Sequence, residues 1–152
     1  MKLFKRLLAI IMLMLPLAAA GVYLFKTLDT RNKLNSSQIN CILKDSKGYM
    51  WFCTPAGLYR YDGHVFRNFQ SDSQDGSSLP DSYIYTIQEA KDGTLWVNTA
   101  QGMCVYHPNT ETFERDMHQV YTKLGISGDP AIVYIDSKKN FWFYIPKQGI
   151  VA

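Results

Sequence analysis

The sequence is poor in histidine, and it lacks a strong charge of either sign. Its three histidines, His64, His107 and His118, do not have the short spacing of a metal-binding motif. The net charge is +3, and four of the sixteen basic residues lie within the first 26 positions. The remaining segment has twelve basic and thirteen acidic residues, so no basic face is left to bind phosphate groups. We therefore expect no metal, no cofactor and no bound nucleic acid.

Cysteine is also scarce, with three residues in the chain. Cys41 and Cys53 lie on either side of a turn near Lys47, so a cross-strand disulfide is geometrically conceivable. Thr86 and Asn98 occupy the same two positions one repeat later, and a disulfide framework would recur with the repeat. We favour two small buried side chains over a bridge, because a free cysteine packs as a small apolar residue.

Only one long apolar run is present. Residues 7–25 carry no charge, they follow the basic residues Lys2, Lys5 and Arg6, and small residues at 18–20 precede Gly21. This order is typical of a secretory signal peptide. An uncleaved membrane anchor is the alternative, because a helix of that length rises about 28 Å, close to the bilayer thickness. Residues 1–26 are therefore predicted to be a hydrophobic helix serving as signal peptide or membrane anchor. In both cases the rest of the chain leaves the cytoplasm.

The chain does contain an internal repeat. Trp51 and Trp96 are 45 positions apart, and a less regular third copy places Trp142 another 46 positions on. A fixed period in this range indicates a repeat architecture. The repeated positions that we expect to be structural are Gly48, Trp51, Thr54 and Gly57 in the first copy, Gly93, Trp96, Thr99 and Gly102 in the second, and Trp142 and Gly149 in the third.

The pattern of strand-like runs and turns within each repeat predicts one small antiparallel sheet. In the first copy, residues 38–44, 49–54, 58–61 and 65–69 are strand-like, and turn signals rich in Gly, Asp and Pro separate them. The second copy follows the same pattern. We predict an all-β fold, a partial β-propeller of four-stranded antiparallel blades amounting to about two and a half blades. The predicted units are blade 1 at 34–70, blade 2 at 79–115 and an incomplete blade 3 at 131–152.

Two polar segments, residues 71–82 and 116–130, are predicted to be loops that connect the outer strand of one blade to the inner strand of the next. With the short turn at 55–57 they form the expected recognition surface, because loops on rigid scaffolds usually carry function. The three tryptophans are predicted to fill the layer between consecutive blades, since burial of such large aromatic rings stabilises sheet packing. A sugar-stacking platform is the alternative role for these tryptophans.

Two strings, DSKGYMWFCTPAGLYRYDGHVFRNF at 45–69 and KDGTLWVNTAQGMCVYHPNTETF at 91–113, resemble the two-component regulator propeller repeat. The third copy departs from its pattern, with Lys139 where Gly is usual and Ile145 in place of Thr. The resemblance implies the periplasmic sensor region of a hybrid two-component histidine kinase that detects a carbohydrate or similar nutrient. It also implies a cytoplasmic kinase, which this chain does not contain. The chain is therefore expected to be an amino-terminal part of a longer protein whose remaining blades complete the propeller, with self-assembly of several copies as the alternative.

Two other classes of function remain open. An exported adhesion or assembly propeller without a kinase would share every feature above. A propeller glycosidase or lyase is the third class, but the four arginines beyond the leader and the lack of a spaced acidic pair do not favour it. We therefore predict no catalytic residues and no enzymatic activity for this chain, and a periplasmic location, either free or anchored.

Overall fold

The computed structural model of the protein describes Phe25, Thr27 and residues 34–152. The predicted hydrophobic helix of the leader lies outside the described residues. Over the described part of the chain, no helix has the length and hydropathy that a bilayer crossing requires. Residues 34–152 form three antiparallel sheets and one short helix.

The three sheets follow one another along the chain, and the first two are four-stranded meanders in which each strand pairs with its neighbours in sequence. The first sheet contains β1 (Cys41–Lys44), β2 (Met50–Thr54), β3 (Gly57–Tyr61) and β4 (Phe66–Phe69). The second contains β5 (Ile84–Glu89), β6 (Leu95–Thr99), β7 (Gly102–His107) and β8 (Thr112–Glu114). The third contains β9 (Ile132–Ile135), β10 (Phe141–Ile145) and β11 (Gly149–Val151). The predicted all-β fold of antiparallel blades is confirmed, although the first strand is shorter than the predicted 38–44.

The same tight turn joins the first two strands of every sheet. In the first sheet the Gly48 amide donates to the Asp45 carbonyl, and Gly48 has a φ of 90°. In the second sheet Gly93, with a φ of 81°, donates in the same way to Ala90. The third sheet uses Lys139 at this position, with a φ of 66°. Residues other than glycine rarely adopt a positive φ, so the backbone at Lys139 is strained and must be stabilised by contacts elsewhere in the fold.

A threonine closes the next turn in the first two sheets. The Thr54 hydroxyl donates to the Gly57 carbonyl over 2.8 Å and accepts from the Ala56 amide over 3.0 Å. The Thr99 hydroxyl donates to the Gly102 carbonyl over the same 2.8 Å. Both threonines are buried, so their hydroxyl groups need hydrogen-bond partners, and the turn backbone supplies them. The repeated threonine and glycine are therefore one structural unit.

The sheets pack face to face, with β5 of the second sheet in contact with β1 and β2 of the first and with β9 of the third. Trp51 is buried between the first two sheets and Trp96 between the second and third. Trp142 differs from the prediction, because its side chain is 42% exposed. Among the described residues no further sheet covers the face of β10 on which Trp142 lies.

The prediction that residues 116–130 form only a loop is wrong, because they contain the helix α1 (Met117–Lys123). The Asp116 carboxylate caps its first turn by accepting from the Gln119 amide. Tyr121 is buried against Trp96, with ring centroids 6.3 Å apart. The helix thus forms because its apolar face covers the layer between the second and third sheets. His118, expected in a loop, lies in this helix.

Cys41 and Cys53 are directly paired across β1 and β2, as the symmetric spacing predicted, but both thiols are free. Cys53 is fully buried, and burial raises the pKa of its thiol well above the usual range. Burial likewise raises the pKa of the Cys104 thiol to about 12. These cysteines are neutral packing residues rather than nucleophiles.

Candidate functional site

The predicted connecting segment 71–82 is an ordered loop held from one point. Arg115, which follows β8, donates from Nε to the Ser78 carbonyl over 2.7 Å. Its Nη2 donates to the carbonyls of Asp75 over 3.0 Å and of Leu79 over 2.7 Å. One guanidinium therefore satisfies several carbonyls that a loop would otherwise leave to solvent. The sequence showed Arg115 only as one of the few arginines beyond the leader.

The short turn at 55–57 lies beside the start of this loop. The Gln70 side-chain amide donates to the Ala56 carbonyl over 3.0 Å. The Ser71 amide donates to the Ser82 hydroxyl over 3.0 Å, which brings the two ends of the loop together. Two of the three segments predicted to carry recognition are thus neighbours in the fold. The third, residues 116–130, lies between the second and third sheets.

A polar groove of about 440 Å³ opens along the loop, and we call it the loop groove. Its walls include Arg67, Gln70, Asp72, Asp75 and Glu111. Hydrogen bonds from the Ser77 hydroxyl and amide hold the pKa of the Asp75 carboxyl below its ordinary value. The groove therefore combines a guanidinium, an amide and carboxylates, which are the groups that bind hydroxyl-rich molecules.

Glu111 is shared by two arginines at the edge of the loop groove. The Arg60 guanidinium lies 2.9 Å from its carboxylate, and Arg67 binds its other oxygen. Burial would raise the pKa of Glu111, but the hydrogen bonds and charges of both arginines outweigh burial and lower it. Arg60 also lies over the ring of Tyr49, 4.7 Å from its centroid, and donates to the Tyr106 hydroxyl over 3.3 Å. This cluster positions charged groups between the first two sheets and has no nucleophile in it.

A second ion pair joins all three sheets. The Glu89 carboxylate, 7% exposed, accepts from the Ser46 amide of the first sheet over 2.8 Å. It also accepts from Lys139 Nζ of the third sheet over 2.9 Å. Burial alone would raise the pKa of Glu89, but these two hydrogen bonds leave it below its ordinary value. The lysine that departs from the repeat pattern is therefore the partner of a buried acid, and only its unusual position in the turn signalled it in the sequence.

The repeated glycines, threonines and tryptophans do not line the loop groove. The glycines and threonines lie at the turns, Trp51 and Trp96 lie between sheets, and Trp142 lies on the exposed face of the third sheet. Within residues 34–152 no group of three or more His, Cys, Asp or Glu side chains is placed to hold a metal ion. The geometry of the described residues is that of a rigid scaffold with a polar surface groove.

Two segments of the chain match a known protein family. Residues 33–56 and 78–101 match the family model described as the two component regulator propeller. The resemblance noted in the sequence is thereby confirmed for the first two repeats, and the divergent third copy lies outside the matched segments. Two segments of the chain, one in each regular repeat, are thus similar to the two-component regulator propeller.

Among solved structures, the chain is similar to the extracellular domain of a hybrid two-component system from B. thetaiotaomicron, with 16% identity and a TM-score of 0.43. The match covers 85% of this chain and 25% of that chain, so this chain spans about a quarter of its length. No curated protein matches the chain.

Proposed function

We propose that residues 34–152 are blades of an extracytoplasmic sensor propeller that belongs to a hybrid two-component signalling protein. The observation that carries the proposal is the match of both regular repeats to the two-component regulator propeller. The leader supports it, since a basic start followed by an apolar run directs a chain out of the cytoplasm. In this proposal the blades bind a ligand and other parts of the protein carry out phosphoryl transfer. The blades themselves have no catalytic role.

The loop groove favours a carbohydrate or a similarly polar nutrient as the ligand. Sugar hydroxyls both donate and accept hydrogen bonds, so they can pair with the carboxylates and with the donors of Arg67 and Gln70. The anchoring of the loop by Arg115 limits the entropy that a ligand would otherwise lose by ordering it.

Isothermal titration of the 152-residue chain with a panel of mono- and oligosaccharides tests this assignment. We expect a saccharide whose affinity falls about tenfold in Arg67→Ala or Gln70→Ala, the loss of one hydrogen bond to a bound polar group. Lys138→Ala is the matched control, because Lys138 is exposed on the third sheet, away from the groove. An affinity that the control changes as much as the groove variants would contradict binding at the loop groove.

An exported adhesion or assembly propeller is the alternative that shares these features. The reading frame that continues from this chain distinguishes the two. A transmembrane helix, a histidine kinase core and a receiver domain support the sensor, and a stop codon without them supports the alternative. A fusion of alkaline phosphatase after Ala152 tests export separately, because the enzyme is active only outside the cytoplasm.

A further inference from the structure

A second cavity, unlike the loop groove, lies between the second and third sheets and is mainly apolar. It encloses about 370 Å³, within the range of small-molecule sites. Trp96, Val105, Leu124 and Phe141 form most of its walls, with Ala90 at one side. We call it the Trp96 cavity.

The corresponding space between the first and second sheets is filled by side chains. Arg60 lies there with its guanidinium 4.7 Å from the ring centroid of Tyr49 and 5.8 Å from that of Trp51. The Asp45 carboxylate occupies the far side, next to the indole nitrogen of Trp51. The first pair of sheets therefore has no room for a ligand in this place.

The second repeat carries a smaller residue at each of these three positions. Strand register shows the equivalence, because Trp51 pairs with Arg60 and Trp96 pairs with Val105. The replacements are Ala90 for Asp45, Thr94 for Tyr49 and Val105 for Arg60. The Trp96 cavity is thus formed by the sequence of the second repeat itself.

The same replacement leaves the indole donor of Trp96 without an acceptor. Trp51 Nε1 donates to the Asp45 carboxylate over 2.7 Å, and Trp142 Nε1 donates to the Asp136 carboxylate over 3.1 Å. Trp96 has Ala90 at that position, and within residues 34–152 no group accepts from its Nε1. Trp96 is only 4% exposed. Trp96 lines the cavity, so an acceptor that enters it can pair with this open donor.

The turn of the second sheet does not supply this acceptor. Its acidic residue, Asp92, stands two positions later than Asp45 does in the first sheet. The Asp92 carboxylate accepts from the Thr94 amide over 3.0 Å and from the Thr94 hydroxyl over 2.7 Å. The carboxylate is therefore used by its own turn, and the indole N–H of Trp96 is left for another molecule.

We propose that the Trp96 cavity binds a small carboxylate with an apolar body, such as an arylacetate. One carboxylate oxygen accepts from Trp96 Nε1 in the place that Asp45 and Asp136 take in the other sheets. The apolar body fills the space that Arg60 and Tyr49 fill between the first two sheets.

The charged rim of the cavity is compatible with an anion. Lys91 and Lys123 line it, and so do His107 and the two carboxylates of Asp92 and Glu114. Glu114 accepts from the Asp116 amide over 3.0 Å, so both acids are already hydrogen-bonded to the backbone. Hydrogen bonding leaves both acids charged, so the two lysines balance them and a ligand carboxylate meets a rim on which these four charges cancel.

The test is an NMR titration of the ¹⁵N-labelled 152-residue chain with phenylacetate, in which the three indole N–H signals are followed. We expect a saturable shift of the Trp96 signal and none at Trp51, whose donor is occupied. Ala90→Asp should weaken binding about tenfold or more, because it gives Trp96 the internal partner of the other sheets. Val105→Arg should weaken it as well by filling the space.

Matched controls separate this site from general binding to apolar surface. Ser137→Asp adds the same charge to an exposed turn of the third sheet and should leave phenylacetate binding unchanged. The Trp51 and Trp142 signals report whether each variant is folded. Phenylacetamide and 2-phenylethylamine are titrated under the same conditions.

The proposal is overturned if the Trp96 signal does not move, if it moves equally in Ala90→Asp, or if the amine binds as tightly as the carboxylate. None of these outcomes bears on saccharide binding at the loop groove.

Discussion

Trp51 of the first sheet and Tyr106 of the second meet edge to face, with ring centroids 5.2 Å apart and ring planes 66° apart. Trp96 likewise contacts an aromatic ring of the third sheet, with ring centroids 4.9 Å apart between Trp96 and Phe141. Trp142 has the same register in its sheet but is 42% exposed. One repeated residue type is therefore in two environments in this chain, and the difference between them can be measured.

Trp96→Ala should lower the free energy of unfolding by about 3–5 kcal/mol, because it removes a buried ring and leaves a cavity. Trp142→Ala should cost less than about 1 kcal/mol in the same chain, since much of that ring already contacts solvent. Urea denaturation of both variants measures the two values. Equal losses would show that the aromatic layer does not hold the sheets together. Unchanged stability of Trp96→Ala with loss of sugar binding would instead favour the sugar-stacking role.

Gly57→Ala and Gly102→Ala form a matched pair at equivalent turns, with φ angles of 132° and 112°. A Cβ at Gly57 would lie 2.5 Å from Asn68 Oδ1 and 2.6 Å from the Phe69 carbonyl oxygen, whereas a Cβ at Gly102 meets nothing within 4 Å. Both changes strain the backbone by about 1 kcal/mol, and only Gly57→Ala adds a clash with backbone. We expect the Gly57 variant to be the less stable by at least about 1 kcal/mol in thermal and urea unfolding. The reverse order would contradict the close approach of β4 to this turn.

The Glu89–Lys139 pair should make stability depend on pH. The pKa of Glu89 is lowered in the folded chain, so its contribution is present above the ordinary carboxyl pKa and is lost as the pH falls through the folded pKa. Lys139→Met should cost about 1–2 kcal/mol at pH 7, less than for a fully buried pair because the Lys139 side chain is 36% exposed. The cost should shrink as the pH falls below the lowered folded pKa of Glu89, because the protonated carboxyl no longer attracts Lys139.

Lys138→Met is the control for this experiment, since Lys138 is exposed and the change should stay within about 0.5 kcal/mol at every pH. The measurement is urea unfolding at pH 7, 5 and 3. If Lys139→Met costs the same at pH 7 and pH 3, the stabilisation does not come from the charge of Glu89.

Arg115→Ala should loosen the loop at 71–82 without unfolding the sheets. The guanidinium binds the carbonyls of Ser78, Asp75 and Leu79, so its removal leaves these groups to water. We expect amide hydrogen exchange in this loop to become about tenfold faster or more, while exchange in the central strands stays slow. Lys91→Ala, a change in a different turn, is the control. Protection that persists in Arg115→Ala would show that the loop is ordered by its own serine and aspartate bonds.

Much of the fold could be predicted because it is encoded locally. The 45-residue spacing of Trp51 and Trp96, and the glycines that end each turn, predict successive antiparallel sheets from the chemistry of a few neighbouring residues. The helix at Met117–Lys123 was missed although Asp116 and Gly125 stand at its ends, because the segment between them is short and mostly polar. Its position is decided by Tyr121, whose burial depends on the third sheet.

The candidate sites were less accessible to sequence reasoning. The loop groove was predicted only as a set of polar loops, since nothing local indicates that Arg115 holds them. The Trp96 cavity follows from Ala90, Thr94 and Val105, of which the first two are ordinary turn residues and the third is an ordinary strand residue. They become informative only when the first pair of sheets shows what fills the same space.

The sequence alone determined the strands, the turns and the order of the sheets, because backbone preferences and hydrogen bonding act between residues a few positions apart. Only the tertiary structure decided which side chains meet. Glu89 finds its partner in Lys139, and Trp96 is buried while Trp142 is not, because burial and ion pairing depend on which sheet packs on which face. Such contacts join residues far apart in the chain, and no local pattern specifies them.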